Sequence, residues 1–381
     1  MQYSATYQEN LKRLKACRDL EHIDRVPHFS NFHTWKILDS DLKPKLSEAL
    51  ADYAMLDKIQ CEFHERYQFD VHYDLLNRNL LKPSTVLGSG AHHMINDESE
   101  SINFIDHVLM QADEYPEYAT NRMAVNWKMW NRKCPELTQG DMARSLILNM
   151  ENAAYLTYMK EKFAAEYDSP YPFGPHCIQV PFERFNKYYR GIKQAHLDLR
   201  RQKTVLKDTF DRIQEDEVMP ALRKALEQDT SMYITDMLVA LLSHTMMSVK
   251  QWDEFFWPYL KPQLDLVAAS GKKVMVYLEN SILRFAEYFQ DYPKGFLTIV
   301  PEIDDVVELR KALPNACIVG GMSAMMLGRG TPEQCVDAAK RVIDQMGDGF
   351  MLGQDKMMSF RNDCKRENLL AVCDYVRNFR W

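Results

Sequence analysis

The last third of the chain, residues 272–379, alternates strand and helix four times. KVMVYLE (273–279), FLTIVPE (296–302), ACIVGG (316–321) and GFMLG (349–353) are apolar runs, each followed by a helical segment. Unbroken Val/Ile/Leu runs suit strands buried on both faces of a parallel sheet. Strands alternating with helices imply βαβ units. A closed ring of such units carries its active site at the carboxyl ends of the strands. Two of the runs end in Glu279 and Glu302, so both carboxylates are candidates for catalysis or metal binding.

The 381 residues allow one α/β barrel of the (β/α)8 TIM type with additional N-terminal helices, and residues 1–381 read as a single barrel domain. A net charge of −7 argues against a nucleic-acid surface. No apolar run approaches the roughly 18–20 residues of a bilayer span. The N-terminus is too polar for a signal peptide, so a cytoplasmic location is expected. The eight cysteines form no C-x-x-C pair and read as free thiols. All eleven histidines lie at or before His244. A metal on the last four strands must therefore rely on Glu, Asp, Cys, Ser or Gln.

Upstream, Thr6-x-x-Glu9 has the form of a capping box and predicts a helix over 7–20. Residues 46–69, 112–166 and 182–228 read as helical. QFDVHYDLL (68–76) reads as a short strand, and 80–106 as an irregular small lid. SPYPFGPHCIQVP (169–181) has too many prolines for a helix and is expected to be a loop or rim. A strand within 231–244 leads to His244, and one helix is expected over 249–270, ended by Gly271. His244 stands at a strand end, where a functional role competes with that of a satisfied core histidine. His33, His72 and His176 occupy loop or strand-end positions and are candidate substrate contacts, with Tyr277 and Asp355 as candidate pocket walls. There is no G-x-G-x-x-G fingerprint and no phosphate-binding P-loop.

The order of these signals resembles the uroporphyrinogen decarboxylase superfamily, which includes corrinoid-dependent methyltransferases. The likeness runs through DRVP (24–27), DEY (113–115), WNRKCPEL (130–137), the segments 188–202 and 243–265, the glycine turn and GTPEQ of 320–334, and 366–372. It implies a distorted (β/α)8 barrel. Authentic uroporphyrinogen decarboxylases grip substrate carboxylates with an arginine-rich motif near the N-terminus. Here HFSNFHTWKIL (28–38) has no Arg and one Lys, which does not suit a substrate with eight carboxylates. Methyltransferases acting on coenzyme M bind zinc through a His-x-Cys pair and a later Cys. Here those positions read Tyr277-Leu278-Glu279 and Gln354 or Asp355, and Ser323 stands where a relative could place His.

The resemblance that remains is to the branch with acidic strand ends. It implies methyl transfer from a small methylated donor, such as a methyl ether, to the cobalt of a separate corrinoid protein. Glu279, Glu302 and His244 are then the expected catalytic contacts. Glu279 and Glu302 would hold zinc as a Lewis acid on the donor oxygen, or a protonated carboxyl would act in its place. No Asp-x-His-x-x-Gly occurs, so the corrinoid is expected on a partner protein. The rivals are a decarboxylase with a cationic anchor in its pocket, and a barrel without catalysis whose strand-end glutamates are ion-paired and shielded.

Overall fold

A computed structural model describes residues 3–75 and 81–381. Leu76 and Leu80, at the ends of two segments read above, lie outside the described residues. Ten strands are present among those described: β1 (Phe29–Ser30), β2 (Val71–His72), β3 (His93–Asn96), β4 (Ser101–Phe104), β5 (Phe173–Ile178), β6 (Thr235–Leu241), β7 (Val274–Leu278), β8 (Leu297–Val300), β9 (Cys317–Met322) and β10 (Phe350–Gln354). Strands β5 to β10 form one parallel ladder in chain order. β1 pairs with β2 in parallel, and the residues flanking β1 bridge to β10 at His28–Leu352 and to the segment after β10 at Phe32–Met358.

Between β2 and β5 no ladder forms among the described residues. The helix Gln139–Glu166 lies across that gap. Its Phe163 ring sits 5.0 Å from His72, and its Lys160 Nζ lies 5.8 Å from the Phe173 ring. Ser169 Oγ also donates to the Asp70 carbonyl across it, at 3.1 Å. The eight parallel strands and their outer helices make a distorted TIM-type barrel.

Alternation along each strand divides the core in two. Phe29, Val71, Tyr73, Leu238, Met275, Tyr277, Val319 and Met351 face inward and pack with Tyr7, Leu11 and Leu14 of the helix Ala5–Arg18. Val239, Val276, Ile299, Ile318 and Leu352 face the outer helices. Gly321, at φ +94°, is the next-to-last residue of β9, where a Cβ would stand 2.9 Å from a Val342 methyl carbon.

Four sequence expectations need correction. The first helix is capped by Ser4, whose side chain accepts from the Tyr7 amide, and it starts two residues before the Thr6 box predicts. The proline-rich segment 169–181 contains β5. Its place at the edge of the ladder explains this, because an edge strand tolerates residues that cannot donate a hydrogen bond. The helix expected over 249–270 is two, Val249–Phe255 and Trp257–Ala269. Pro258 has no amide to continue the first and suits the start of the second. The lid region carries the antiparallel hairpin β3–β4.

Candidate functional site

The carboxyl ends of the parallel strands carry two cavities. One, about 370 Å³, lies over β8 and β9 and is lined by Glu302, Asp304, Gly321, Ser323, Arg341 and Asp355. The other, about 330 Å³, lies over β5 and β6. Its walls include Ile178, Val180, Leu238, Ala240 and Leu242, with Cys177, Gln179, Glu183 and Lys187 among the polar groups.

Glu279 follows β7 directly. Its amide donates to the Leu241 carbonyl, continuing the ladder by one residue. Its side chain is about one-third exposed, with Lys187 Nζ 3.9 Å from Oε1. Glu302 has a different partner, since its Oε2 accepts from the Asn280 amide at 2.7 Å. Asp355 lines the Glu302 cavity and caps the helix Ala324–Arg329 by accepting from the Ala324 amide at 2.9 Å. Burial raises its carboxyl above the ordinary range.

The histidines separate. His244 is fully buried, with Nε2 3.2 Å from the Ser281 carbonyl and Arg284 donating to its own carbonyl. Burial lowers its pKa to about 4. His72 is buried between His64, at 2.8 Å, and Asp74, at 3.4 Å, within the β1–β2 network. His33 lies 3.1 Å from Asn31 Oδ1, just past β1. His176 is half-buried on β5, and burial lowers its pKa. Tyr277 is buried inside the barrel, stacked on Tyr73 at 5.6 Å. The structure thus joins Glu302 to Asp355 in one cavity, and Tyr277 to the inner aromatic layer. His72 and His244 sit in separate buried networks.

Among the described residues, no three His, Cys, Asp or Glu side chains converge as a metal site. Glu279 and Glu302 hold different partners, and His244 faces a carbonyl. The proposed donor set therefore does not fit zinc.

Sequence reasoning missed Glu183. It lies in the first turn after β5, in the short helix Pro181–Arg184, just before a π-turn at Phe185–Tyr189. Its Oε1 accepts from the amides of Leu242 and Ser243 at 2.8 and 2.9 Å. Its Oε2 is closed off from water and makes no hydrogen bond of full geometry. Burial pushes the carboxyl up to about 6, against those hydrogen bonds and the Ser243 side chain, and the charge of Glu279 adds to the rise. A carboxylate this soon after a strand end is the only sequence signal, and it needed β5 to be recognised as a strand.

A parallel βα barrel with carboxyls and apolar walls at the strand carboxyl ends defines the class of protein. The model of the uroporphyrinogen decarboxylase (URO-D) family matches residues 187–379, just over half of the chain, and the chain belongs to that family. No curated protein sequence matches it. Among solved structures, a methyltransferase from Methanosarcina mazei is similar in fold, with a TM-score of 0.62 at 15% identity, covering 97% of this chain and 98% of that one. No helix among the described residues is long and apolar enough to cross a membrane.

Proposed function

We propose that this protein is a methyltransferase that takes a methyl group from a small methylated donor, such as a methyl ether, and passes it to the cobalt of a corrinoid carried by a separate protein. The observation that carries the reading is the cavity over β5 and β6. Its apolar wall of Ile178, Val180, Leu238, Ala240 and Leu242 suits a methyl group and a small uncharged body. Its arginine is engaged elsewhere, since Arg184 holds Glu217 and Gln179. Lys36, the one cation of segment 28–38, is buried against Gln60 and Asp74 and is not free to grip substrate carboxylates. These features disfavour a substrate with many carboxylates. The methyltransferase fold neighbour supports the same direction.

One observation favours the rival decarboxylase. Lys160 points its ammonium 4.0 Å from the Tyr171 ring centroid, beside the inner aromatic layer, and makes no ion pair among the described residues. Such a cation would suit one substrate carboxylate.

The test is to incubate the purified chain with a free Co(I) corrinoid and a panel of methyl ethers, and in parallel with carboxylic acids. Methyl-Co(III) absorbance bands support the proposal. Carbon dioxide release without methyl-cobalt formation overturns it in favour of the lyase.

A further inference from the structure

We propose that Glu183 is the proton donor to the leaving oxygen of the methyl donor. This rests on methyl transfer being the reaction. Glu183 is a wall of the cavity over β5 and β6, and its two oxygens have unlike surroundings. Backbone amides of Leu242 and Ser243 hold Oε1 in place. Oε2 is shielded from bulk water and makes no hydrogen bond of full geometry, and the nearby Ser243 side chain eases the charged form only in part. A full negative charge on a carboxyl this buried is costly, whereas its protonated form holds a proton that a side-chain rotation uncovering Oε2 presents to a ligand oxygen in the cavity.

The charged groups around it fit this role. Glu279, at the end of β7, is a like charge that favours the proton on Glu183. On its own segment, Arg184 is held by Glu217, and Lys187 lies by Glu279. From the turn after β6, His244 faces the Ser281 carbonyl and stays neutral, because burial lowers its pKa. None of these forms an ion pair with Glu183 among the described residues.

The step balances as follows. The Co(I) nucleophile gives its electron pair to the methyl carbon and becomes methyl-Co(III). The carbon–oxygen bond breaks, and its pair stays on oxygen. That oxygen takes the proton of Glu183 Oε2 and leaves as an alcohol or phenol. Glu183 is left as a carboxylate, steadied by the two amides, and regains a proton from solvent between turnovers.

Glu183→Gln keeps the shape and the acceptor for both amides but removes the proton. A series of methyl aryl ethers with increasingly acidic phenols separates a proton donor from a structural residue. The variant is expected to lose about 100-fold or more on the least acidic phenol and to approach the wild-type rate on the most acidic. The wild-type rate should fall as pH rises through the titration of Glu183, and this dependence should vanish in the variant. An equal loss on every ether overturns the proposal. A second measurement needs no turnover. The infrared band of a protonated carboxyl, taken as wild type minus Glu183→Gln, should be present near pH 5 and lost by about pH 7.5, on either side of the raised value. Its absence at pH 5 overturns the proposal whatever the reaction. If the band is present but no ether is demethylated, the methyl-transfer reading falls, and the donor role falls with it.

Discussion

Lys36 Nζ lies 3.7 Å from Asp74 Oδ1, and both side chains are wholly buried. This pair joins the segment after β1 to the end of β2. Lys36 also donates to Gln60 Oε1 and to the Asp74 carbonyl, each at 2.6 Å, while Asp74 accepts from Ser30 Oγ and the Phe32 amide. Burial alone would raise the Asp74 carboxyl. The Lys36 charge and the His72 hydrogen bond outweigh it and hold the carboxyl well below the ordinary range. Lys36→Met leaves an uncompensated buried carboxylate. It should cost about 3–5 kcal/mol in urea unfolding, the usual range for breaking one side of a buried pair. A loss below about 1 kcal/mol would mean that water reaches Asp74.

Acid should unfold the protein earlier than its surface carboxylates alone require. Burial holds His28 and His64 at about 3, and His92 and His244 at about 4. In the unfolded chain each returns to its ordinary value near 6.5. Between about pH 6.5 and 4 the unfolded state therefore binds more protons, and stability falls as pH is lowered through that window. Melting temperature should be nearly flat from pH 8 to 7 and drop steadily from 6.5 to 4. His244→Gln should flatten part of that drop; an unchanged slope would show that His244 is charged in the folded protein.

Glu302 fastens the loop after β7. Its carboxylate holds the amide of Asn280, which sits at φ +61° with its own Oδ1 accepting from the Ser281 amide. Asn tolerates the left-handed region better than most residues. Asn280→Gly should be nearly neutral, and Asn280→Val should cost about 1–2 kcal/mol. Glu302→Ala should cost about 1–3 kcal/mol by freeing a charge-assisted bond. If Glu302 also serves the reaction, Glu302→Gln will lower the methyl-transfer rate with little change in melting temperature. Measuring both quantities on the same variants separates the roles.

The strands most legible in the sequence are those buried on both faces. β7, β8, β9 and β10 lie inside their apolar runs to within one or two residues, because a parallel strand under helices has no polar side to interrupt the run. β5 was hidden for the converse reason: an edge strand can carry Pro175, and its inward face opens on a cavity. The strand ends pointed to Glu279, Glu302, His244 and Asp355, but strand-end position alone does not say what a side chain touches. Glu183 depends on amides 59 and 60 residues further along, and no local pattern records that pairing. Lys160 was equally hidden, because it reaches the barrel only through the long helix that lies across the β2–β5 gap.

Lys160 is where the rival reading can be tested directly. Burial pushes its ammonium down to about 8, outweighing an opposing pull from Cys177. The ring of Tyr171 offers its face at 4.0 Å, which offsets part of the lost hydration but supplies no countercharge. A fraction of this lysine is therefore a neutral amine at slightly alkaline pH. Labelling with an acylating reagent, read by mass spectrometry, should show a midpoint near pH 8 for Lys160, against values above 10 for exposed lysines. Lys160→Met keeps the stem in its aromatic contacts and removes a half-buried charge, so it should alter unfolding free energy by less than about 1 kcal/mol. A bound carboxylate would restore the charged form, so a carboxylic acid that occupies the site should raise the labelling midpoint and slow the reaction. If no acid in a broad panel does so while methyl ethers are turned over, the cation is not a substrate anchor and the decarboxylase reading loses the support of Lys160.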